Sequence, residues 1–261
     1  MSKAVTYGNY LKIDELLSLQ PDPARVEHDE MLFVVIHQVY ELWFKQVLHE
    51  LDRCSQLLET AAGPRVVACL ARVLTILKTM VAQIDVLETM TPTEFLTFRT
   101  RLESASGFQS DQFRQLEFVL GKKSRDAVER FREGSRARNA LEQRWARPAL
   151  WDSFMQRLHR HGYHIPEALL KRNFTEPVEP SPQVQDALVQ IYRRDPGHTV
   201  ICERLVDLDE GVQEWRYRHV KMVERTIGSK QGTGGSEGAA YLVRTTHQPS
   251  FPDLWEIRVR L

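Results

Sequence analysis

Between Leu205 and Gly238 the chain reads LVDLDEGVQEWRYRHVKMVERTIGSKQGTGGSEG. Leu208, Val212, Trp215, His219, Met222, Val223 and Thr226 recur at helical spacing and make one apolar stripe. His219 lies in the middle of that stripe, while Arg216, Arg218, Lys221, Glu224 and Arg225 form the expected solvated face. An imidazole among Trp, Met and Val has two chemical readings: a core group with both nitrogens hydrogen-bonded, or an axial ligand to a metal or haem iron. After Gly228 the periodicity stops, and glycines at 228, 232, 234, 235 and 238 mark a loop whose backbone can approach another group closely.

Two further residues could take part in chemistry with it. His37 falls with Phe33, Tyr40, Phe44 and Leu48 inside the apolar sector of a long helical pattern, near its margin. It reads equally as a boundary histidine or as a working one. Arg99 shares a face with Phe95, Phe98 and Leu102, where a guanidinium needs a partner because it cannot neutralise itself. It either pairs with a protein carboxylate, snorkels to solvent, or holds a bound carboxylate bidentately. The small-residue turn Ser104-Ala105-Ser106-Gly107 follows directly.

The elements that must position these groups are helices. The longest uninterrupted pattern runs from His28 to about Glu59, apolar on most sides, with Gln38, Glu41, Lys45, His49 and Asp52 in a narrow polar sector. Residues 65 to 90 form a second long helix of scaffold type. Thr91-Pro92-Thr93-Glu94 predicts a sharp helix start, with Thr as N-cap, Pro at the first position and Glu closing a capping box. A helix from Asp111 is closed by Gly121, the charge-dense stretch 122–147 reads as solvated and anchored by Phe131, Leu141 and Trp145, and Asp195 caps a helix beginning at Pro196. His159, His161 and His164 straddle Gly162 and read as surface groups. Runs of strand-type alternation are missing, so the expected class is all-α, a single-domain helical bundle over residues 1–261, with an N-terminal arm over 1–20 that must pack on its own body or on a neighbouring subunit.

Composition narrows the function classes. Thirty-five basic and thirty-five acidic residues cancel, which argues against a footprint for nucleic acid or anionic membrane. Three scattered cysteines form neither a disulfide framework nor a metal clip. No signal peptide or membrane span is expected, which makes the cytoplasm the default. The glycine loop follows a helix and lacks the phosphate-loop pattern; HExxH and a Glu-x-x-His pair are also missing. Two core-side histidines, an arginine on an apolar face and a glycine-threonine loop together suit an aromatic amino acid lying over a planar cofactor.

The phrases YGNYL at 7–11, HDEMLF..IHQVYELWFKQ at 28–46, TP.EF..FR at 91–99, SASGFQS at 104–110 and RHVKMVERTIGSKQGTGGSEG at 218–238 resemble the tryptophan 2,3-dioxygenase family, in the same order along the chain. The resemblance implies an all-helical, homotetrameric enzyme that uses haem b to insert O₂ across the indole double bond of L-tryptophan, giving N-formylkynurenine. It further implies His219 as proximal haem ligand, His37 as the distal residue bonding the indole N–H, Phe33, Ile36 and Phe95 as indole walls, and Arg99 as carboxylate clamp. Thr233 would meet the substrate's ammonium and carboxylate, Ser106 and Gly107 would line the haem edge, and Tyr7, Tyr10 and Leu11 would act on a neighbour's site. Ile36 stands where a polar side chain is expected in many relatives, and the tail ending at Leu261 is expected to be short for the family. Both departures leave room for a superfamily relative that mono-oxygenates a substituted tryptophan to an oxindole; a haem-free helical interaction protein is the alternative from another class.

Overall fold

The computed structural model describes residues 4–60, 63–228, 230, 242–243, 246 and 248–261. Among them every regular element is helical, as periodicity predicts. The arm holds α1 (Tyr7–Leu11) and α2 (Ile13–Leu17), separated by Lys12 in the left-handed region at φ 56°. Three long helices follow the order of the sequence: α3 (His28–Thr60), α4 (Gly63–Leu87) and, much later, α12 (Pro196–Ile227). Between them lie α5 (Pro92–Phe98), α6 (Asp111–Val119), α7 (Arg125–Glu129), α8 (Arg136–Trp145), α9 (Leu150–Arg160), α10 (Glu167–Leu170) and α11 (Pro182–Arg194). A last short helix, α13, spans Pro252–Glu256.

The centre of the bundle is α4, which packs against α3 on one side and α12 on the other. The stripe Val66, Leu70, Val73, Leu77 and Ile84, with Met80, is buried between them. Each such side chain contributes roughly 1.5–3 kcal/mol when removed from water. An 18-residue window of α4 reaches a mean hydropathy of 1.6, so by length and composition alone this helix is long and apolar enough to cross a membrane, contrary to the expectation above. Its position between α3 and α12 accounts for the 39% of that window that is buried, because a helix covered on both sides needs apolar residues on both.

The predicted start of α5 forms as written. Thr91 accepts from the Glu94 N–H, the Glu94 carboxylate accepts from the Thr91 N–H at 2.7 Å, and Pro92 occupies the first turn. Asp195 caps α12 by accepting from the His198 N–H at 3.0 Å. The stretch from 122 to 147 is less open than its charge suggests. Phe118, Val128 and Leu141 form a second small core, with Phe131 and Trp145 packed against it, and Lys123 is buried where its ammonium donates to the carbonyls of Arg144, Trp145 and Arg147 at the end of α8. His159, His161 and His164 are exposed as expected.

Asp209, fully buried on α12, ties down the end of the chain. It accepts from the backbone N–H groups of Ser250 and Phe251 and from the Trp255 indole at 2.8, 3.3 and 2.9 Å. A buried carboxylate needs this many donors. Phe251, Leu254 and Ile257 are consequently part of the main core.

Candidate functional site

A cavity of about 700 Å³ opens where the first half of α3, the end of α12, α5 and the turn before α6 converge. Phe33, His37, Phe95, Arg99, Ser106, Gly107 and His219 all line it. That size is in the range of a site for a cofactor with a small substrate.

His219 reaches the cavity from the last third of α12. One turn earlier Trp215 stacks on it, ring centroids 5.5 Å apart and planes 14° from parallel. Trp215 is itself held by Tyr40, Phe44 and Phe113, at 6.1, 5.8 and 5.2 Å, and Tyr40 is fixed by donating to the Met80 carbonyl at 2.6 Å. The imidazole thus stands on an aromatic layer contributed by α3, α6 and α12. Burial, with smaller effects from His37 and Arg216, pushes its pKa down to about 4. At neutral pH it is an uncharged nitrogen donor, the form that binds a metal.

His37 faces the cavity from α3. Its Nδ1 lies 2.6 Å from the Phe33 carbonyl oxygen. A carbonyl only accepts, so Nδ1 carries the hydrogen and Nε2 keeps its lone pair. Burial lowers the His37 pKa, opposed by the bond to Phe33 and by Glu41. By surface area this residue is exposed, yet protein atoms crowd around it. The two are compatible because its accessible surface belongs to the cavity wall, with protein packed beyond it. Phe33 lies 4.0 Å from the His37 ring and 5.9 Å from Phe95, so an aromatic cluster flanks the imidazole.

Arg99 sits at the end of α5, on the cavity side, half-buried. It opens a 3₁₀ turn, Arg99–Leu102, which leads through Glu103 into Ser104–Gly107. A Cβ built on Gly107 would meet nothing within 4 Å, so the backbone there borders open space. Ser106 caps the following turn by accepting from the Phe108 N–H.

The remaining expected residues fall in other places. Ile36 is 7% exposed and belongs to the main core, not to the cavity lining; one residue before His37 on a helix, it points about 100° away. Tyr7, Tyr10 and Leu11 are exposed on α1 and lie outside the lining. Thr233 falls outside the described residues. Arg216, assigned above to a solvated face, is 7% exposed and lines the cavity. It bonds Glu117, which also holds Arg114, and all three line the same cavity. Sequence reasoning missed this cluster. The Arg114–Glu117 spacing of three on one helix was its only visible trace, and the partner on α12 is ninety-nine positions away.

The lining suits a planar, dianionic, iron-bearing ring. It offers a neutral imidazole on an aromatic base, largely apolar walls, an open backbone edge at Gly107, and an excess of positive charge from Arg114 and Arg216 over Glu117. The residues present therefore fit haem.

Comparison with known proteins gives the same direction. A family model described as tryptophan 2,3-dioxygenase matches residues 1–166 and 159–261. The chain is similar to the tryptophan 2,3-dioxygenase of Herpetosiphon aurantiacus, 58% identical over 262 residues and covering 100% of both chains. It is similar to that of Anaeromyxobacter sp. strain K, 53% identical over 98% of this chain and 96% of the other, and to that of Caulobacter vibrioides, 42% identical over 100% of each. The Herpetosiphon and Caulobacter relatives are covered over their whole length, so against these two the tail is not short. With all-helical architecture, the cavity and the full-length matches in agreement, the chain belongs to the tryptophan 2,3-dioxygenase family.

Proposed function

We propose that the protein is a haem-dependent dioxygenase that adds both atoms of O₂ across the C2–C3 bond of the indole of L-tryptophan, giving N-formylkynurenine. The observation that carries this reading is the convergence of His219, His37 and Arg99 on one cavity of about 700 Å³. Bound haem would supply the iron centre at which O₂ is activated. His219 would hold that iron from the α12 side, and Arg114 and Arg216, two cations sharing the one Glu117 carboxylate, would attract the carboxylates of the ring.

The chain's own residues do the positioning. With its hydrogen on Nδ1, His37 accepts the indole N–H at Nε2 and so sets the angle at which the indole lies. Phe33 and Phe95 close on the flat faces of the substrate, and Arg99 pairs with its carboxylate. Thr233 is proposed to meet the ammonium and carboxylate from the glycine loop. Because burial keeps both imidazoles neutral, neither is suited to deliver a proton at pH 7. Catalysis here is orientation and exclusion of water more than acid–base work. The chain is proposed to act as one domain in a cytoplasmic homotetramer, with Tyr7, Tyr10 and Leu11 of one copy reaching the site of another.

The test is anaerobic reconstitution with ferrous haem, followed by O₂ and L-tryptophan, with the product identified by mass. A gain of two oxygen atoms is expected; a gain of one overturns the reading in favour of an oxindole-forming relative. His219→Ala is expected to remove the Soret band at stoichiometric haem, and a wild-type chain that never acquires such a band points to a haem-free binding protein.

A further inference from the structure

Arg101 does not line the cavity, yet it is tied to the residues that do. One guanidinium nitrogen donates to the Glu30 carboxylate at 2.9 Å and to the Arg25 carbonyl at 3.3 Å, and the other donates to Glu27 at 3.4 Å. Glu27, Glu30 and Arg25 belong to the entry and first turn of α3. Glu30 is one turn before Phe33 and two before His37 on that helix. Arg101 is two residues after Arg99, inside the same 3₁₀ turn. The contact therefore joins the segment bearing the guanidinium directly to the helix bearing the imidazole.

The turn needs such a tie. Glu103, next in sequence, has φ 46° and ψ −111°, a backbone region that side chains avoid and glycine tolerates. Strain of this kind persists where surrounding contacts over-determine the conformation. Within 99–103 the bond from the Glu103 N–H to the Thr100 carbonyl is long, at 3.4 Å. Arg101 supplies three longer-range contacts, one to a carboxylate whose side chain is 13% exposed. Arg101 itself is exposed, and a lone exposed pair would carry little; this one has three partners, one of them shielded, and closes a loop of seventy-one residues onto a helix start.

We propose that Arg101 is a positioning residue: its clamp on Glu27, Glu30 and the Arg25 carbonyl sets the spacing between Arg99 and His37, and thereby the binding of the amino-acid carboxylate while the indole is bonded. This rests on the substrate assignment made above. Glu30 also accepts from the Glu27 N–H, a helix-start contact that glutamine can keep. Glu30→Gln consequently removes the charge pairing and preserves the cap.

The experiment compares wild type, Arg101→Gln, Glu30→Gln and the double variant, each loaded with haem. KM for L-tryptophan is expected to rise about fivefold in each single variant, more than kcat falls, with the double variant no worse than Arg101→Gln. The Soret band stays unchanged, and amide exchange over 99–107 quickens relative to the rest of the chain. Arg101→Gln with wild-type KM and wild-type exchange in that segment overturns the clamp. A wild type that fails to turn over tryptophan instead removes the substrate assignment, and the exchange measurement still decides the clamp. Should Arg101→Gln not fold, Glu30→Gln decides by the same two readouts.

Discussion

The imidazole of His219 lies nearly parallel to the indole of Trp215, with centroids 5.5 Å apart and planes at 14°. The two residues are four apart on α12, so helix geometry places one ring above the other. What makes the arrangement rigid is the base under Trp215, where Tyr40, Phe44 and Phe113 approach from α3 and α6. The orientation of the nitrogen facing the cavity is thus set by packing, before any ligand arrives.

Arg99→Ala is expected to weaken binding of the amino-acid carboxylate by about 2–5 kcal/mol, the usual loss when one partner of a desolvated charge pair is removed. The signature is a large rise in KM for L-tryptophan with haem content unchanged. Wild-type KM and kcat in this variant would show that the carboxylate is held elsewhere.

His37→Ala removes one neutral hydrogen bond, worth about 0.5–1.5 kcal/mol. A fall in kcat/KM of up to about tenfold is expected, with haem retained. Because the contact is to the indole N–H, an analogue methylated on that nitrogen is expected to lose far less from the substitution. Equal losses for both substrates would contradict the hydrogen bond.

Gly121 ends α6 with φ 90°, and a Cβ there would stand 2.7 Å from Val178 Cγ2. Gly121→Ala combines an unfavourable backbone region with overpacking and is expected to cost about 2–4 kcal/mol, read as a lower midpoint in urea. Adding Val178→Ala is expected to recover the packing part only, leaving the backbone part.

Asp195 accepts from the His198 N–H and ring at 3.0 and 2.7 Å and from the Tyr163 hydroxyl at 2.9 Å. Burial raises its pKa, but these donors outweigh it and bring the value down to about 2, from 3.8. A carboxylate depressed in the folded state stabilises above its unfolded pKa and ceases to do so as pH falls through the folded one. Asp195→Asn is therefore expected to destabilise by about 1–2 kcal/mol at pH 7, as for a lost cap, with the gap to wild type shrinking between pH 4 and pH 2. Urea melts across that window test it; a gap independent of pH would mean that the charge plays no part.

Local chemistry by itself determined a great deal of this protein. The boundaries of α3, α5 and α12 follow from apolar periodicity, from the Thr91–Glu94 capping box and from Asp195, all of which act within a few residues. The placement of His219 on one stripe with Trp215, and of Arg99 on an apolar face beside Phe95, was legible for the same reason. Family motifs added roles that spacing leaves open.

The tertiary structure decided which helix faces meet. Arg216 reads as solvated on an isolated wheel, and only the approach of Glu117 from α6 makes its burial tolerable. Ile36 and His37 are neighbours in sequence, but one points to the core and the other to the cavity because α3 is covered on several sides. The link from Arg101 to Glu30 spans seventy-one residues. No periodicity encodes such a contact, since it exists only once the packing of α3, α4 and α12 has brought distant segments to one end of the bundle.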